Sequence, residues 1–100
     1  MTAKNFADVR TEDRRLSILL VLESSPRYEA NAHLVREMIE RYYGHSASLD
    51  TVRADLAWLA EQGLAQVEEL QGLPLARASG RGIDVALGRA NCPGVKRPLP

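Results

Sequence analysis

The side chains in this chain able to do covalent or acid–base chemistry are few: Ser24-Ser25, Ser46-x-Ser48, His33, His45 and Cys92, beside a short glycine segment, Gly80-Arg81-Gly82. A nucleophilic serine needs a base within hydrogen-bond reach and a third group that orients the base. Neither serine pair has such a neighbour in a recognised arrangement. Two histidines and one cysteine fall short of a zinc ligand set. Gly80-Arg81-Gly82 is too short for a phosphate loop. These residues predict no catalytic centre, no metal, no cofactor and no small-molecule ligand. His45 is expected as a solvated turn residue. Cys92 is expected as an exposed free thiol, and with no disulfide framework the chain is expected in the cytoplasm.

Contact with phosphate and base edges is a second kind of chemistry, open to hydroxyls, arginines and free helix amides. Ser46, Ser48, Thr51, Arg53, Arg77 and Arg81 are the candidates. The charge total argues mildly the other way, because 13 basic residues balance 13 acids and a dedicated nucleic-acid binder is usually basic. The distribution is uneven. Residues 31–70 carry three arginines against seven acids, whereas 71–100 carry Arg77, Arg81, Arg89, Lys96 and Arg97 against Asp84 alone.

One hundred residues allow one core, and an apolar content of 45% is ample to fill it. The longest apolar run, Ile18–Leu22, is too short to span a bilayer, so no membrane association is expected. The first helix carries Leu16, Leu19 and Leu20. It starts either near Asn5, with Phe6, Val9, Asp13, Leu16 and Leu20 on one stripe, or at Thr11, and it stops near Ser24-Ser25-Pro26. Ile18, Val21 and Leu22 make it apolar nearly all round, which predicts either full enclosure or a homodimer contact through this helix.

Asn31 caps a second helix with Leu34, Val35, Met38, Ile39 and Tyr42 on its apolar stripe, and Gly44 closes it. Tyr42 is expected in the core, with Tyr43 more exposed. Ser48 caps a third helix that buries Leu49, Val52, Leu56 and Leu59 and stops at Gly63. Two capped helices across a four-residue turn make a helix-turn-helix pattern. Leu64–Leu70 and Leu73–Ala78 read as strands joined at Gln71-Gly72, and Pro74 predicts that its strand lies at an edge. Ser79 caps a short fourth helix ending at Gly88, with Gly82 allowing close backbone packing. The expected fold is α+β, mostly α: a winged helix-turn-helix with a three-helix core, a two-stranded hairpin wing and a short C-terminal helix. Residues 1–10 are an extension of the first helix or a flexible arm, 11–88 the domain, and 89–100 a basic, proline-containing, mostly unstructured tail.

The segment Ser48-Leu49-Asp50-Thr51-Val52-Arg53-Ala54-Asp55-Leu56, running on to Gly63-Leu64, resembles the recognition helix of DeoR-type winged-helix regulators. Ala78-Ser79-Gly80-Arg81-Gly82-Ile83 looks like the segment that follows the wing in many winged helices. Over roughly residues 6–90 the chain is similar to small winged-helix proteins of Mu-like prophages. The resemblance implies double-stranded DNA as partner and a role in transcription regulation or as an accessory phage protein. It places Thr51 and Arg53 near DNA and makes Asp55 and Leu56 structural. The pattern's second arginine is Ala54 here.

With Val52 at the centre of the buried face, helical geometry puts Asp50, Ala54, Ala57 and Glu61 opposite, and Thr51 and Arg53 on the flanks. Two acids and two alanines read bases poorly. The hydroxyls at the helix start, with Arg77, Arg81, Lys96 and Arg97 of the wing and tail and with Arg14 and Arg15 as additions, would then supply the phosphate contacts. The alternative is a non-catalytic protein-interaction module using that acidic, alanine-bearing face. Arg53 would otherwise pair with Asp50 or with Glu61 of a neighbour, and Trp58 is expected to pack against the wing or another helix.

Overall fold

A computed structural model of the chain describes residues 3–99. Asn5 starts the first helix by accepting a hydrogen bond from the Asp8 amide (2.8 Å), so α1 runs Phe6–Ser24 and the alternative start at Thr11 is not used. A single 3-10 turn, Pro26–Tyr28, follows, in which Arg27 and Tyr28 both take positive φ and reverse the chain. Then come β1 (Glu29–Asn31), α2 (Ala32–Tyr43), α3 (Leu49–Glu61), β2 (Ala65–Leu70), β3 (Leu73–Ala78) and α4 (Gly80–Ala86). Asn31, Ser48 and Ser79 cap α2, α3 and α4 as their residue types predict.

The wing is part of a three-stranded antiparallel sheet of order β1-β3-β2, not a free two-stranded hairpin. Pro74 therefore lies in the central strand, contrary to the edge expectation. It is tolerated because β1 pairs only from Leu75 to Arg77, so the ladder on that side has ended before Pro74. In a two-residue hairpin closed by Leu70 and Leu73, the Glu69–Pro74 pair is of the non-hydrogen-bonded kind and needs no proline N–H. The turn itself has positive φ at both Gln71 and Gly72, the primed geometry that matches strand twist.

Ile18, Leu19 and Leu22 of α1 are fully buried among Val35 and Ile39 of α2, Val52, Leu56 and Leu59 of α3, and Leu64. Helices α2 and α4 and strands β1 and β3 pack against α1, whose Leu16, Ile18, Leu19, Val21 and Leu22 belong to the one buried cluster. The all-round apolar character of the Leu16–Leu22 stretch is thus used within one chain, and the homodimer contact predicted from it loses its basis. The same helix leaves Phe6 and Val9 exposed, because its first turns project past the core. Tyr42 is also exposed, more so than Tyr43. It lines an open cleft with Val21, Ser24, Ser25 and Met38, where α1 ends beside the last turn of α2.

Residues 89–99 contain no helix or strand, yet they are not an unstructured tail. Cys92 and Val95 are buried in the core cluster, which also overturns the exposed-thiol expectation. The Lys96 amide donates to the Glu12 carbonyl (3.2 Å), and Arg15 Nη1 donates to the Gly94 carbonyl (3.0 Å). Gly94 has φ +96, and a Cβ there would fall 2.7 Å from the Trp58 ring. Gly94→Ala is expected to cost about 1–3 kcal/mol through overpacking and backbone strain. Urea unfolding against the parent chain measures it, and an unchanged midpoint would mean the segment is not docked on Trp58.

Candidate nucleic-acid interface

The start of α3 is built by Ser48, whose hydroxyl oxygen accepts from the Thr51 amide (3.1 Å) while its proton is donated to Thr51 Oγ1 (3.0 Å). Ser46 stands exposed in the turn before it, beside the end of the helix that attracts anions. Asp50, Ala54, Ala57 and Glu61 are all exposed, and Val52, Leu56 and Leu59 are fully buried, as the helical wheel predicts.

Arg53 does not pair with Asp50. Its Nη1 donates to Glu69 Oε1 of β2 (3.4 Å), and its Nη2 donates to the carbonyl of Gly72 in the wing turn. The wing tip is thereby tied to the first half of α3. Arg53 and the wing tip form one surface, on the first half of the helix that Ser48 and Thr51 begin.

Arg77 and Arg81 are not part of that surface. Arg77 alternates with the core-facing Ala76 and Ala78, so it lies on the outer sheet face, where it donates to Glu29 Oε2 (3.1 Å). Arg81 donates to the carbonyl of Gln62 (3.1 Å) and so covers the C-terminal end of α3. The thirteen residues of α3 separate that end from Ser48 by roughly 20 Å.

Arg14 and Arg15 do not extend the surface either. Asp55 is buried, and Arg14 grips both its oxygens, with Nε on Oδ2 (2.5 Å) and Nη2 on Oδ1 (3.2 Å). The Arg15 guanidinium stacks on Trp58 at 3.8 Å from the ring centroid, and its Nε lies 4.0 Å from Asp55 Oδ1. Trp58 therefore packs against α1 and the C-terminal segment, not the wing. The adjacent Arg14-Arg15 and a carboxylate on the buried side of α3 were the sequence signal for this cluster.

A second polar cluster fixes the turn between α2 and α3. His45 is buried, not solvated, and its Nε2–H donates to Asp13 Oδ2 (2.6 Å). Lys96 Nζ donates to the other oxygen of the same carboxylate (3.3 Å). Asp13, the one polar member of the α1 stripe, was the visible clue. Partial burial alone would raise the Asp13 pKa, but the hydrogen bonds from His45 and Lys96, with the attraction of their charges, hold it below the ordinary 3.8. A depressed carboxylate stabilises the fold above its unfolded pKa, and that contribution is lost as pH falls through the lower folded value. Asp13→Asn should therefore lower the melting temperature at pH 7, and the gap from the parent should narrow below pH 3.8. A gap independent of pH would show that the charge plays no part.

The excess cations of the C-terminal third are largely spent on acids elsewhere: Arg77 on Glu29, Arg89 on Asp84 and Lys96 on Asp13. Of the five in residues 71–99, Arg81 and Arg97 alone form no ion pair among the described residues. Among the described residues, no helix is long and apolar enough to cross a membrane.

A capped helix-turn-helix followed by a hairpin, with a further strand completing the sheet, defines a winged-helix protein. Solved structures of H. salinarum RosR share the fold. One superposes with a TM-score of 0.65 at 21% identity, covering 74% of this chain and 66% of that one. A complex structure of RosR-S4 gives 0.65 at 22%, covering 81% and 70%. No family model matches the chain. It is 47% identical over 93 residues to gp26, an uncharacterised protein of Escherichia phage Mu, covering 93% of this chain and 95% of gp26. The chain belongs to the family of phage Mu gp26. An uncharacterised Haemophilus influenzae protein is 42% identical over 67 residues, covering 67% of this chain and 64% of its own length.

Proposed function

We propose that this protein binds double-stranded DNA as a regulator-like or accessory phage protein, with the first half of α3 against the major groove and the wing tip beside it. One observation supports the reading: Arg53, on the helix that Ser48 caps, bonds to Glu69 and Gly72 and so holds the wing tip against the first half of α3. Thr51 and Arg53 match the positions that approach DNA in DeoR-type helices. The hydroxyls and amides at the helix start are suited to phosphate, and the scarcity of base-reading side chains predicts modest, salt-sensitive affinity. Arg77 and Arg81 contribute at most from the flanks, given where they lie.

Arg53→Glu is the direct test, by fluorescence anisotropy with a labelled mixed-sequence duplex at about 50 mM salt. Loss of an arginine contact is worth about 1–3 kcal/mol, so affinity should fall at least several-fold. Arg53 lies on the surface, so the melting temperature should move by only a few degrees. Unchanged affinity would remove α3 as the DNA-facing element.

A second reading rests on the exposed face of Asp50, Ala54, Ala57 and Glu61, which bears no cation. There the two alanines would let a protein partner approach closely, with the acids as a polar rim. It predicts no salt-dependent association with any duplex.

A further inference from the structure

Among the described residues, Arg53 is the one cation on the surface formed by α3 and the wing tip, and its guanidinium is already occupied. Both of its partners belong to the wing: the Glu69 carboxylate and the Gly72 carbonyl. Arg53 is 37% exposed and Glu69 57%, so the ion pair sits in high-dielectric surroundings where such pairs are weak. A phosphate offers the guanidinium a stronger, charge-assisted partner. We infer that Glu69 is a latch on Arg53: it holds the arginine against the wing in the free protein, must release it when DNA binds, and so sets the affinity of the surface.

This inference rests on the DNA-binding reading above. Its structural basis is the alternation of β2. Glu69 pairs with Pro74 on the sheet face turned to α3, whereas Glu68 pairs with Leu75 and points to the outer face. The two neighbouring acids thus carry the same charge, and Glu69 alone contacts Arg53. Removing either one changes the net charge equally, and removing Glu69 also frees the arginine, so the comparison in the absence of Arg53 separates release from proximity of charge.

The test compares the parent chain, Glu69→Gln, Glu68→Gln, Arg53→Gln and the Arg53→Gln/Glu69→Gln double variant. Binding to a labelled mixed-sequence duplex is followed by anisotropy at about 50 mM salt. Glu69→Gln is expected to tighten binding about threefold to fivefold, the worth of an exposed ion pair, beyond any gain from Glu68→Gln. In the Arg53→Gln background that extra gain should vanish. Equal gains from the two glutamates, or a gain that survives without Arg53, would show that Glu69 acts by charge alone and would overturn the latch while leaving DNA binding in place. Absence of binding by the parent and every variant would overturn both.

Discussion

Asp55→Ala should lower the unfolding free energy by about 3–5 kcal/mol, as much as the truncation of a large core side chain. The Asp55 side chain is 6% exposed, and the Arg14 and Arg15 side chains that flank it are 19% exposed. Truncating the carboxylate leaves two guanidinium groups beside a partly dry pocket with no counter-charge. Arg15 fares worse, because its Nε is buried without a hydrogen-bond partner and depends on the nearby Asp55 charge and the Trp58 face. The cluster joins α1, α3 and the C-terminal segment, so the loss should appear as a lower urea midpoint with an unchanged slope. A loss below about 1 kcal/mol would place these arginines in solvent.

Gly82→Ala comes next, at about 3 kcal/mol or somewhat more. A Cβ at Gly82 would lie 2.0 Å from the Leu64 carbonyl oxygen and 3.0 Å from its carbon. Those atoms are backbone, and the same carbonyl accepts the Ser79 amide (3.0 Å), so neither partner can rotate aside. Helix α4 would have to lift from the start of β2, and overpacking of this kind is costly. Gly80→Ala is the matched control. Its Cβ would meet nothing within 4 Å, and alanine at that helical position should be neutral or slightly stabilising. Equal losses in the two variants would show that the close approach at Gly82 does not limit stability.

The elements that read well from the sequence are those with short-range signals. Asn31, Ser48 and Ser79 announced their helices because a cap acts within three residues. The Gln71-Gly72 turn and the buried face of α3 were equally local. Strand β1 was not legible: it is three residues long, buries only Ala30, and pairs with β3 more than forty positions away. The same distance problem hid the docking of Cys92, Val95 and Gly94 onto α1 and Trp58, since a Pro- and Gly-containing segment looks the same docked or free.

At the candidate site the pattern was similar. Which α3 residues face outward followed from helical period, and each of the four is exposed. What Arg53, Arg77, Arg14 and Arg15 bond to did not follow, because a long cation takes whichever acceptor the tertiary fold brings near. His45 and Asp13 were polar residues in separate elements, and only the packing of the helix turn against α1 makes them partners.

The most direct test is an amide-resolved NMR titration of the labelled protein with a mixed-sequence duplex at about 50 mM and about 200 mM salt, a range over which phosphate-driven binding fades. Binding through α3 and the wing predicts shifts centred on Ser46–Ala57 and Glu69–Leu73 at the lower salt, lost at the higher, with the outer sheet face around Arg77 undisturbed. No shifts at either salt, or shifts confined to residues away from α3 and the wing tip, would contradict it.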